Sequence, residues 1–284
     1  MTASVVTTPL ALAAEIPAQA TVGFVPTMGA LHEGHLALIR QAAAENDEVV
    51  VSIFVNPTQF NDPADLARYP RDLQRDVDLA GSAGAALVYA PEVQTIYPEG
   101  SATSVHVSGV TDLWEGESRP GHFDGVATVV SILLNQVRPT RSYFGEKDFQ
   151  QLAMVTRMHR DLHLPGVIVP LPTVREPDGL AMSSRNVRLS REGRAIAPSL
   201  HEALVAMESA VSEGERSTMR LIIAGAVLLR RHPQISLDYL QIVDGETLEP
   251  LDAVIPGARA IVAASIDGVR LIDNLALLPG DGQA

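Results

Sequence analysis

Between Thr21 and Val55 the hydrophobic period changes twice, and that change restricts the fold of this chain more than any other feature. "TVGFV" (Thr21–Val25) is a short β-rich run. After a glycine-containing turn, "HLALIRQAAAEN" sets Leu36, Ile39 and Ala43 at helical spacing. "EVVVSIFV" (Glu48–Val55) is an unbroken, largely β-branched apolar run, as expected of a strand covered on both faces. Strand, helix, strand in that order is the building block of a parallel sheet. The alternation continues. "DLQRDVDLAGSAG" reads as a helix ending at glycine, "AALVYAP" as a strand, and "GVATVVSILLNQVRP" as a helix stopped by Pro139. "SYFG" then reads as a short strand, "DFQQLAMVTRMHRDL" as a helix and "GVIVPLP" as a strand. Residues 1–173 are therefore expected to form an α/β domain, a Rossmann-like doubly wound parallel sheet.

The texture changes after residue 173. "TVREPDGLAMSSRN" is polar and rich in turn residues, which places a hinge near Pro172–Pro177. Two helices are expected near Glu192–Ser212 and Ser217–Arg231. Three short strands follow, near Leu237–Val243, Arg259–Ser265 and Gly268–Leu271. Residues 174–284 thus read as a smaller C-terminal α+β domain, expected to serve as a lid.

Composition narrows the function. The 284 residues are 46% hydrophobic and 19% charged, enough apolar material for a core. The net charge of −13 argues against a general nucleic-acid binder, whose affinity comes from Lys and Arg on phosphates. An anionic ligand would need a local cluster that overrides this field. The chain has no cysteine, so it has neither disulfides nor a thiolate metal site. "MTASVVTTPLALAAEIPAQA" has no Lys or Arg before its apolar part, and Glu15 interrupts it. It is read as a short N-terminal element. No run approaches the roughly 18 apolar residues of a membrane helix. A cytoplasmic location with no membrane partner is expected.

The turn "PTMGALHEGHL" (Pro26–Leu36) lies where open α/β sheets bind ligands, between a strand end and a helix start. Helix N-termini carry unpaired N–H groups and attract phosphate. Gly29 and Gly34 allow close approach. His32 and His35 are three apart and would share a helix face. A zinc reading fits poorly, because the zincin pattern needs histidines four apart with a Glu between them.

A strand followed by H-x-G-H resembles the adenylyl-transferring superfamily of class I aminoacyl-tRNA synthetases and nucleotidylyltransferases. The longer string "VPTMGALHEGHL" resembles the pantoate–β-alanine ligase family. So do "SIFVNPTQF", "YPRD", "RPGHFDGVATVV", "FGEKDFQQL" and "PTVREPDGLAMSSRN", with "DYLQIVD" and "LIDN" extending the likeness into the C-terminal domain. The resemblance implies ATP-dependent joining of pantoate to β-alanine through a pantoyl-adenylate. It implies ATP as a substrate with Mg2+, small-molecule partners without nucleic acid, and a homodimer.

By the same resemblance His32, His35, Lys147, Ser183, Ser184 and Arg185 are catalytic. Met28, Gly29, Ala30, Leu31, His32, Glu33, Gly34 and His35 bind ATP. Gly145, Glu146, Lys147, Asp148, Val174, Met182, Ser183, Ser184 and Arg185 join them. Gln59, Gln151, Asn56, Pro26, Met28 and Phe60 hold pantoate or β-alanine. Asp76 is the expected metal ligand in "DLQRDVD", where Arg75 interrupts the acids. "WEGESRP", with Glu115 and Arg119, is expected to be a lid segment. Another H-x-G-H adenylyltransferase, or a nucleotide-binding regulator without catalysis, would share part of this pattern.

Overall fold

The computed structural model describes residues 3–278. The chain divides into two compact units. One is Met1–Glu146 with Met154–Pro172, the other Lys147–Ala153 with Thr173–Ala284. A single cut at 173/174 differs from this grouping mainly in Lys147–Ala153, which goes with the C-terminal residues.

The first unit holds a parallel sheet of β1 (Ser4–Val6), β2 (Val22–Thr27), β3 (Glu48–Ile53), β4 (Leu87–Tyr89), β5 (Arg141–Gly145) and β6 (Val167–Leu171). Its order is β1-β4-β3-β2-β5-β6, with every neighbouring pair parallel. From β2 the chain steps outward through β3 to β4, and later returns to β5 on the other side of β2. The order reverses between β2 and β5, and the carboxyl ends at such a reversal form a ligand crevice. The doubly wound expectation holds.

The core explains the sequence pattern. The helix Glu33–Glu45 buries Leu38, Ile39 and Ala42, while β3 buries Val49, Val50 and Val51. Burial of each large aliphatic side chain contributes about 1.5–3 kcal/mol. Tyr143 is fully buried on β5, and its hydroxyl donates to Glu45 Oε2 at 2.7 Å. The N-terminal element contains a strand, β1, that the periodicity did not predict. Three residues are too few to show a period, and β1 is fixed only by pairing with Leu87–Tyr89.

The second unit contains an antiparallel sheet of β7 (Ser236–Asp244), β8 (Ala258–Ile266) and β9 (Val269–Ala276), in that order. Leu200, Leu204, Met207 and Leu221 from its helices share a core with Leu240, Ile242 and Val262. The single helix expected near Glu192–Ser212 is two, Arg191–Ile196 and Ser199–Ser212. Pro198 stands between them, without an N–H to continue the first ladder. The third strand runs five residues past Leu271, to Ala276, because Asp273 and Asn274 hid its alternation.

Candidate active site

The turn after β2 is built by acceptors that consume its backbone N–H groups. Thr27 Oγ1 donates to Ser52 O at 2.7 Å and accepts from Gly29 N–H at 3.1 Å. Asp76 Oδ2 accepts from Ala30 N–H and Oδ1 from Leu31 N–H, both at 2.8 Å. Asp76 is 2% exposed. Gly29 has φ 81°, and a Cβ there would lie 2.7 Å from Asp76 Oδ2. Ala30 has φ 51°, in the left-handed region that non-glycine residues rarely occupy. The Asp76 carboxylate holds that conformation.

The two histidines cap the next helix. His32 is its N-cap; Gly34 N–H donates to His32 Nδ1 at 3.2 Å, and His32 N–H donates to His35 Nδ1 at 3.3 Å. This is the reciprocal geometry of a capping box, made by imidazoles in place of Ser and Glu. With Nδ1 accepting, a neutral ring carries its proton on Nε2 and is a donor there. The ring centroids are 4.1 Å apart. A Cβ on residue 34 would lie 2.9 Å from His32 Cε1, so the H-x-G-H glycine is where the His32 ring crosses the backbone.

This corrects one expectation. The backbone N–H groups of Gly29, Ala30, Leu31, His32 and Gly34 have internal acceptors. The turn is therefore not a bare helix N-terminus with unpaired N–H groups at these positions. Glu33 pairs with Arg40 at the surface.

Asp76, the expected metal ligand, fastens the turn through both of its oxygens. Among the described residues no group of three or more His, Asp or Glu is arranged to hold a metal ion. The residues present do not form a cage for Mg2+, which commonly keeps waters and substrate phosphates as ligands.

Beside the turn lies a polar cluster. Asn56, 1% exposed, donates through Nδ2 to Gly125 O and Gln59 Oε1, both at 3.0 Å. Its Oδ1 accepts from Tyr97 OH at 2.8 Å. Gln59 Nε2 lies 2.9 Å from Met28 Sδ, which brings together three of the residues expected around pantoate. Pro26 is half-buried on β2, and Phe60 stacks edge-on against Tyr69. The expected lid segment supplies Arg119, whose guanidinium donates to Gln59 O at 3.3 Å; His122 Nδ1 lies 2.9 Å from the same oxygen. Tyr97 was not expected here, and His122 stands in the string "RPGHFDGVATVV" without having been assigned a site role.

In the second unit Lys147, Ser183 and Arg185 line one small hollow with Arg270, Leu271 and Asp273. Lys147 Nζ is 3.3 Å from Asp148 Oδ1, and Glu146–Asp148 form one 3₁₀ turn. Gln151 sits in the first turn of the helix Phe149–Asp161, half-buried. Gly145 ends β5 of the first unit, and a Cβ there would meet nothing within 4 Å. Residues 174–182 form a hairpin: Met182 N–H donates to Val174 O at 3.0 Å and Arg175 bridges Ala181. Ser183 Oγ accepts from Arg185 N–H at 3.2 Å. Ser184 is half-buried between them.

A family model described as pantoate-beta-alanine ligase matches residues 4–276. The pantothenate synthetase of Thermus thermophilus is 54% identical over 275 residues, which is 96% of this chain and 99% of that protein. A crystal structure of pantothenate synthetase from Thermus thermophilus matches with a TM-score of 0.93 at 53% identity, covering 97% of this chain and 100% of that one. A crystal structure of pantoate-beta-alanine ligase from Francisella tularensis, complexed with beta-gamma ATP and beta-alanine, matches with a TM-score of 0.79 at 34% identity. That match covers 96% of this chain and 97% of the other.

Proposed function

This chain belongs to the pantoate-beta-alanine ligase family, and from that premise we propose that it joins pantoate to β-alanine in two ATP-driven steps. In the first, a pantoate carboxylate oxygen attacks the α-phosphorus of ATP and pyrophosphate leaves. In the second, the amine of β-alanine attacks the acyl carbon of pantoyl-adenylate and AMP leaves. The first step needs no general base, since a carboxylic acid of pKa about 4 is already ionised near neutral pH. It needs preorganised donors for charge developing on phosphate oxygens.

One observation carries this reading: two imidazoles stand side by side with Nδ1 committed to backbone N–H groups. Their Nε2 donors are thereby fixed in tautomer and in direction. His32 and His35 take phosphate oxygens. Lys147, Ser183, Ser184 and Arg185 supply charge and hydroxyl donors to the phosphates. Glu146, Gly145, Asp148, Val174 and Met182 contact the nucleoside. Gln59 and Gln151 hold the pantoate hydroxyls, with Met28, Pro26 and Phe60 as apolar wall and Asn56 steadying the cluster. Mg2+ enters on ATP as part of the substrate.

The test is pantoate-dependent exchange of labelled pyrophosphate into ATP, with Mg2+ and without β-alanine. Exchange, followed by pantothenate and AMP on adding β-alanine, is the expected result. No exchange and no AMP with all substrates present would overturn the substrate assignment. The reading also places the protein in the cytoplasm as a homodimer, which cell fractionation and light scattering check directly.

A further inference from the structure

Strand β9 carries two polar residues where a strand would be served by apolar ones. Asp273 is 5% exposed and Asn274 4% exposed. Their pairing partners on β8 are Val262 and Ile261. Burying a carboxylate and an amide is costly unless both are fully partnered. Apolar residues of similar volume often do at least as well for stability. The partners therefore indicate what the doublet does.

Asp273 faces the hairpin. The Arg175 guanidinium donates to Asp273 Oδ2 at 2.6 Å and to Oδ1 at 3.0 Å, a two-pronged pair. The same guanidinium donates to Gly179 O at 3.0 Å, across the hairpin. Arg175 thus ties the hairpin to itself and to β9. The chain runs directly from this hairpin into Ser183 and Arg185, and Asn186 Nδ2 donates back to Ala181 O at 3.0 Å.

Asn274 faces the other segment. Its Nδ2 donates to Lys147 O at 3.0 Å. Its Oδ1 accepts from the Arg259 guanidinium, which lies 3.9 Å over the centroid of the Phe149 ring. The turn Lys147–Phe149 is therefore gripped at a carbonyl and at an aromatic face. The two residues are also coupled, since Asn274 N–H donates to Asp273 Oδ1 at 2.7 Å.

We infer that Asp273 and Asn274 are positioning residues: one dipeptide step on β9 sets the Lys147 turn and the Ser183–Arg185 segment in fixed register as a single phosphate-binding surface. This rests on the phosphate role proposed above for those residues. Misplacing a reacting contact by about 1 Å can cost about a hundredfold in rate. A strand buried in its own core is a stiff reference from which to hold two loops.

The experiment is a double-mutant cycle between Asn274→Ala and Lys147→Ala, read as kcat/KM for ATP, KM for pantoate and urea midpoint. Asn274→Ala alone should lower kcat/KM for ATP roughly tenfold while KM for pantoate stays within about twofold. In the Lys147→Ala background the same substitution should cost less than about twofold more, because its effect passes through Lys147. An equal loss in both backgrounds, or pantoate KM rising as much as that for ATP, overturns the positioning role and leaves the phosphate reading intact. Wild-type turnover in Lys147→Ala overturns the phosphate reading, and this inference with it. If Asn274→Ala does not fold, Asn274→Asp carries the same cycle, since it keeps an acceptor for Arg259 and loses the donor to Lys147.

Discussion

The turn Thr27–His35 and the segments of the second unit that carry Lys147 and Ser183–Arg185 are fastened mainly by opposite means. In the turn, acceptors take up backbone N–H groups: the Thr27 hydroxyl, the Asp76 carboxylate and both imidazole Nδ1 atoms. In the second unit, donors take up backbone carbonyls: Arg175 on Gly179, Asn274 on Lys147 and Asn186 on Ala181. The difference shows where each region keeps its chemistry. In the turn the backbone N–H groups are taken up by internal acceptors, so the phosphate role proposed for it rests on the imidazole rings. The other segments keep cations and hydroxyls at the surface.

The largest effect expected from breaking this comparison is at Asp76. Asp76→Ala leaves the Ala30 and Leu31 N–H groups without acceptors in a buried site, at a cost of roughly 2–5 kcal/mol. Urea unfolding should show that loss, and turnover should fall with it. An unchanged unfolding midpoint with a raised Mg2+ requirement would instead restore Asp76 as a metal ligand.

Next is Lys147→Ala. Its side chain is 22% exposed and its ammonium group pairs with the exposed Asp148. Such pairs hold about 0–1 kcal/mol, so the unfolding midpoint should barely move. Turnover should fall by roughly a hundredfold or more. A variant that loses stability while its folded fraction stays fully active would move Lys147 out of the phosphate set.

Gly34→Ala sharpens the comparison from the side of the turn. A Cβ 2.9 Å from His32 Cε1 must push the ring aside, while alanine favours the helix by about 1 kcal/mol. Stability should hold or rise and turnover should drop about tenfold. Unchanged turnover would mean that the His32 ring direction is immaterial.

How much of this was legible in the sequence depends on distance along the chain. The parallel sheet was readable because each strand and helix carries its own period. H-x-G-H was readable because the capping residues are three apart. β1 was not, since three residues carry no period and the pairing partner lies over eighty residues away. The hold of Asp76 on the turn was not legible because the sequence shows an acid near other acids, and only the fold shows two N–H groups waiting 45 and 46 residues upstream. Asp273 and Asn274 looked like a strand end, for the reason that makes them informative: polar residues inside a strand are legible only with their partners, which are 98 and 127 residues away.

The smallest effect concerns pH and touches the second unit alone. His201 Nδ1 is buried with no hydrogen-bond partner, 3.9 Å from Asp273 Oδ2. Burial holds the imidazole below the ordinary value of 6.5, and the Arg175 guanidinium adds to that, while Asp273 and Glu202 pull weakly the other way. As pH falls through 6.5 the unfolded chain takes up this proton before the folded one does. The contribution of His201 to stability is thus fully present above that pH and is lost as pH drops toward the folded value. Exposed His106 has the opposite sign, because Asp124 raises it, so the whole-protein slope mixes the two. The difference between wild type and His201→Gln removes that mixture. The urea midpoint of wild type should fall more steeply than that of His201→Gln between about pH 7 and about pH 5. Parallel curves would mean that His201 protonates in place, taking Asp273 as its partner. The Arg175–Asp273 tie would then hold equally beside a neutral or a charged imidazole, and the second unit's fastening would be independent of the His201 proton.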